Sequence, residues 1–218
     1  MRNLKSLTIC FAIGLVIAVS GQTTQIAKPS IDETLERSLG GNEVDYSSTT
    51  DAFHKSLGRI GMAGGSVRIL DCNGDYFKQA WSPLNKTLRQ ALDTIVENDP
   101  RYRWQVADGV INLLPAAGEP AFLKTRIVEF RAENITLAMD TVTPLLKLPE
   151  VQKAMDDLNL KPGIAGFITS PSRKPFSVEC KGMTLRQALN AIVRAQGRGV
   201  WGYVETHCYQ QNEVIITF

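Results

Sequence analysis

The chain has 218 residues, enough for one large domain or two small ones. Its hydrophobic fraction of 44% and charged fraction of 21% are those of a folded globular protein. The formal net charge is only +2 and no basic stripe is present, so no field draws in DNA, RNA or an anionic membrane.

Arg2 and Lys5 open the chain, Leu7 to Val19 is apolar, and the small residues Ala18, Ser20 and Gly21 follow. These are the three parts of a secretory signal peptide over residues 1–21. The run is short for a membrane span, so no stable span is expected after cleavage; a retained anchor is the other reading. Cys10 lies inside the apolar run behind Ile9, which argues against a lipoprotein site. Losing Arg2 and Lys5 from the 24 basic residues leaves 22, against 22 acidic ones. The expected address is the periplasm or the exterior. In such a compartment two of the remaining Cys72, Cys180 and Cys208 should pair. Cys180 and Cys208 lie in the same half of the chain and are the expected disulfide, with Cys72 left over.

Residues 22–42 are polar and read as a flexible lead with room for a short helix, ended by Gly40-Gly41. Val44–Ser47 suits a short strand. Thr49 or Thr50 can cap a helix over Asp51–Ile60, with Phe53, Leu57 and Ile60 on one face. Gly61, Gly64 and Gly65 stop it. Strands are expected at Ser66–Leu70 and Tyr76–Trp81, around an Asn73-Gly74 turn. Thr87 and Gln90 then form a capping box, and Leu88, Ala91, Leu92, Ile95 and Val96 make a one-sided apolar stripe. Asp99-Pro100 closes this helix. Arg101–Val106 and Val110–Leu114 form a hairpin through Asp108-Gly109. Residues 116–123 are rich in Pro and Gly and mark a linker.

The second half repeats the order. Thr125–Arg131 is a strand, and Thr136 caps a helix carrying Leu137, Val142 and Leu145, bent or ended by Pro144. An extra helical piece occupies 148–161, with Pro149 in its first turn. Strands follow at Ile164–Thr169 and Phe176–Cys180. Thr184 and Gln187 form a second capping box ahead of Leu185, Ala188, Leu189, Ile192 and Val193. Val200–Val204 and Glu213–Phe218 close the chain, around a loop holding His207 and Cys208.

The hexapeptide Thr-Leu-Arg-Gln-Ala-Leu thus occurs at Thr87–Leu92 and Thr184–Leu189. Without gaps, 87–106 and 184–203 agree at 10 of 20 positions, including Trp104 and Trp201. A repeat of this kind implies two copies of one supersecondary unit, 43–115 and 124–218. Each reads strand, helix, strand, strand, helix, strand, strand. The expected class is α+β, with helices packed on short mixed sheets.

With Thr87–Leu92, Trp104 and Val110–Leu113 in one half, and Thr184–Leu189, Trp201 and Val214–Ile216 in the other, the chain resembles the short N-terminal domain of secretins and TonB-dependent receptors, in two tandem copies. That resemblance implies a periplasmic module that binds another protein.

Little in the sequence points to a reaction. There are two histidines, His54 on a helix and expected to face solvent, and His207 beside Cys208. Neither has the ligand spacing of a zinc site nor a third group to orient a nucleophile. Gly61–Gly65 follows a helix and lacks the lysine of a phosphate loop. Asp156 and Asp157 are splayed about 100° apart on a helix. Asn85-Lys86-Thr87 and Asn134-Ile135-Thr136 fit the glycosylation pattern, but each threonine also serves as a cap. Trp104 and Trp201 read as core or half-buried residues under the repeated helix. No cofactor, metal or catalytic residue is expected. The function that follows is an exported, non-catalytic protein–protein interaction module, partnered with an envelope or secretion-system protein. The alternative is a secreted enzyme or small-ligand binder with a site between the units and 148–161 as its lid.

Overall fold

The structure, a computed structural model, describes residues 29–40, 44–46, 48–72, 79–81, 86–163, 174–208 and 211–218. The expected signal peptide, the Asn73-Gly74 turn and the strand at 164–169 lie outside the described residues.

The first half holds α1 (Ile31–Leu35), β1 (Val44–Tyr46), α2 (Thr49–Ile60), β2 (Gly64–Asp71), β3 (Gln79–Trp81), α3 (Leu88–Asn98), β4 (Tyr102–Ala107) and β5 (Val110–Pro115). The second holds β6 (Arg126–Ile135), α4 (Val142–Leu146), α5 (Pro149–Asp157), β7 (Lys161–Pro162), β8 (Phe176–Thr184), α6 (Leu185–Gln196), β9 (Val200–Cys208) and β10 (Gln211–Thr217). Helices and strands mix in an α+β architecture.

One six-stranded sheet, ordered β4-β5-β2-β9-β10-β7, takes three strands from each half; β1-β3 and β6-β8 form two-stranded sheets. The pairing pattern is the same in both halves. In the first, β1 is antiparallel to β3, β2 parallel to β5, and β4 antiparallel to β5. In the second, β6 is antiparallel to β8, β7 parallel to β10, and β9 antiparallel to β10. The halves meet where β2 runs parallel to β9, from Gly64 opposite Val200 to Asp71 opposite His207. Their sheets are therefore fused edge to edge.

Strand alternation explains the two cores that result. Ile111 and Leu113 face Phe53, Leu57, Leu88 and Leu92 in one. Val110 and Leu114, on the other side of β5, join Phe122, Leu189, Trp201 and Tyr203 in the other. A strand covered on both faces must be apolar almost throughout, and β5 is.

Several expectations need correction. The lead is not loose where it is described: α1 has its own capping box, Ser30 with Glu33, and Leu35 and Leu39 enter the first core. Ser48, not Thr49 or Thr50, caps α2, because its hydroxyl accepts from Asp51 N while both threonines lie inside the helix. Thr136 is not the cap: a 3-10 turn over Ala138–Thr141 precedes α4, and its N-cap position is Leu137, which offers no side-chain cap. The linker ends in the core, with Phe122 and Leu123 fully buried. β9 extends to Cys208, so His207 and Cys208 lie on a strand, not a loop.

Candidate functional site

The repeat builds the same local structure twice. Thr87 N donates to Gln90 Oε1 at 2.9 Å, and Thr87 Oγ1 accepts from Gln90 N at 3.3 Å. Thr184 and Gln187 exchange the same two bonds at 2.9 and 3.2 Å. One turn further along each helix lies a pair that the sequence reading missed. Trp104 Nε1 donates to Asp93 Oδ1 at 2.9 Å, and Trp201 Nε1 donates to Asn190 Oδ1 at 2.7 Å. Asp93 and Asn190 share the offset of the tryptophans. Counting them as equivalent acceptors, although the residues differ, would have found them.

The two copies differ in cover. Trp201 is fully buried, and Gly65 of β2 stands opposite it. A Cβ at position 65 would collide with the indole ring, so β2 can pass under Trp201 only with glycine there. Trp104 is half-buried. β4, which carries it, is the last strand of the sheet, and among the described residues no strand pairs with its outer edge.

A polar latch joins α6 to the β4–β5 turn. Asp108 and Gly109 both have positive φ, 54° and 72°, as a tight hairpin turn requires. Asp108 Oδ2 accepts from Asn190 Nδ2 at 3.2 Å and pairs with Arg186 at 3.3 Å; its carbonyl accepts from Arg194 Nη1 at 2.9 Å. Arg186 also pairs with Glu119 at 2.8 Å. Asn190 thus connects the buried indole to the turn of the other half.

The histidines are occupied by the fold. His54 does not face solvent freely: its Nε2 lies 2.7 Å from Ser66 Oγ on β2. Burial lowers its pKa to about 4, against the smaller opposing pull of Asp51. Tyr203, Glu205 and His207 alternate along β9 and so share one face. The Tyr203 hydroxyl donates to Glu205 Oε2, and Glu205 Oε1 meets His207 Nε2 at 2.9 Å. Burial, then the Glu205 carboxylate, push the Tyr203 phenol well above its usual range. Asp99, which caps the C-terminus of α3, is opposed by burial, but hydrogen bonds from Arg101 and Thr49 outweigh it and keep the carboxyl below its usual value.

The disulfide joins Cys72 and Cys208, not Cys180 and Cys208. Cys72 follows Asp71, which stands opposite His207, so parallel pairing brings it beside Cys208. Cys180 points from β8 into the second core, fully buried, where desolvation pushes its thiol up to about 11. Nearness in sequence misled because Cys208 ends a strand of one half and Cys72 directly follows the strand of the other half that pairs with it. Among the described residues no cluster of His, Cys, Asp or Glu is arranged to hold a metal ion. Between the halves lies an open, mainly apolar groove lined by Ile69, Tyr102, Pro115 and Pro120 together with the charged Arg101, Glu119, Lys124 and Glu205. The chain matches no protein-family model, and no curated protein or solved structure is significantly similar to it.

Proposed function

We propose that this chain is an exported, non-catalytic protein-interaction protein, built of two copies of one α+β unit similar to the short N-terminal domain of secretins and TonB-dependent receptors. Its partner is an envelope, secretion-system or receptor protein. The observation that carries this reading is the β2–β9 seam: the protein holds its own halves together by adding the strand edge of one to that of the other. Strand addition needs no catalytic group, since main-chain hydrogen bonds supply the affinity. The same sheet ends in the edge strand β4. Export is supported by the Cys72–Cys208 disulfide. No helix among the described residues is long and apolar enough to cross a membrane.

The test is complementation. In a strain lacking the gene, the chain with His54→Ala and His207→Ala should restore whatever phenotype the deletion removes. A double variant that folds, accumulates normally and fails to complement would move the assignment to the enzyme or ligand-binding alternative.

A further inference from the structure

We infer that the outer edge of β4 around Trp104 is a docking site for an extended segment of another protein, laid parallel to β4 with a glycine opposite Trp104. This rests on the interaction reading above and gives it a place and a ligand chemistry.

The argument comes from comparing the two copies of one site. Trp104 on β4 and Trp201 on β9 hold the same position, each donating to an Asx residue on the preceding helix. Val106 and Tyr203, two residues on, are related by the same offset. On β9 this site is filled. β2 pairs along its edge, Gly65 lies opposite Trp201 and Val67 opposite Tyr203, and both aromatic residues are fully buried. On β4 the equivalent positions are open: Trp104 is half-buried and Val106 is 43% exposed. An edge strand offers unpaired amides and carbonyls, and an apolar pair beside them favours an occupant. The filled copy states what fits: a parallel strand with the pattern Gly-x-Val, glycine under the indole and an aliphatic side chain two residues later.

The occupant is not a second copy of this chain. Among the described residues the pattern Gly-x-Val occurs at Gly65–Val67 on β2 and Gly202–Val204 on β9, and these two strands are paired with each other and tied by Cys72–Cys208. The described segments of that pattern are therefore already engaged within each copy, and the occupant we infer is a segment of a different protein.

The probe is a ten-residue peptide with the sequence of residues 62–71, added to the full, oxidised, isotope-labelled chain and followed by amide and indole resonances. Saturable shifts confined to β4 and the Trp104 indole are expected. The peptide carrying leucine at the position of Gly65 should bind about tenfold more weakly, because the added side chain has no room under the ring. Three results would overturn the proposal: no shifts in β4 at millimolar peptide, equal binding of the leucine peptide, or β4 already covered in a concentration-dependent dimer seen by sedimentation. A blank titration alongside full complementation by the histidine variant would reject the β4 site and leave the interaction reading standing. Failed complementation by a histidine variant that folds and accumulates normally would reject that reading whatever the peptide does.

Discussion

His54 shows how one side chain is spent on the fold. Its imidazole lies between α2 and the seam, bonded to Ser66, and burial holds its pKa near 4 against an ordinary 6.5. Between these two values the unfolded chain takes up a proton that the folded chain refuses. The contribution of His54 is therefore intact above about pH 6.5 and is lost progressively as the pH falls towards 4. Carboxylates titrate in the same region, so the reference should be His54→Gln, which keeps a neutral polar partner for Ser66. The difference in unfolding free energy between wild type and variant, from urea melts, should stay flat above neutrality and narrow on acidification. A difference that does not change between pH 7 and pH 4 would mean that the imidazole is solvated. The sequence marked His54 only as a helical residue beside Phe53. Its partner comes from β2, and contact between helix and strand is a tertiary event.

At the scale of elements, α3 and α6 are legible in the sequence. Their threonine and glutamine caps and their apolar stripes are local patterns, and local patterns survive whatever packs on them. Thr87→Ala and Thr184→Ala should each cost about 1 kcal/mol, because each removes the acceptor for an otherwise orphaned amide at the helix start. Denaturant midpoints of the two single variants measure it; an unchanged midpoint in either would show that the cap contributes nothing there. α4 was less legible. Thr136 looked like a cap, but the chain enters this helix through the 3-10 turn at Ala138–Thr141, where Ala138 and Thr141 are both buried. Packing, not capping, sets that boundary, and Pro144 is tolerated inside so short a helix. The Trp–Asx hydrogen bonds belong to this scale too. They lie within the repeat, and the Asp-for-Asn difference hid them.

For the whole molecule, the seam between β2 and β9 decides most. Its covalent clasp, Cys72–Cys208, spans 136 residues of sequence and ties one half to the other. Closing so long a loop is worth about 5 kcal/mol in the chain-entropy model, through the unfolded state. Replacing both cysteines by serine should lower the unfolding free energy by up to that amount, measured by denaturant titration under oxidising conditions. A variant as stable as wild type would show that the ladder and the Asp108 latch hold the seam alone. By itself the sequence determined the α+β class, the two helices that carry the repeated hexapeptide with their caps, and the tight Asp108-Gly109 turn. These depend on residues within a helix turn or a hairpin of one another. Only the tertiary structure decided that the two halves share one sheet, that Cys72 meets Cys208 while Cys180 is buried, and that Trp201 is covered while Trp104 is not. Each depends on which strand edge meets which across more than a hundred residues. Hydrophobic pattern specifies the faces of a strand, but it does not specify the neighbour at its edge, because edge pairing is made by the backbone that all residues share.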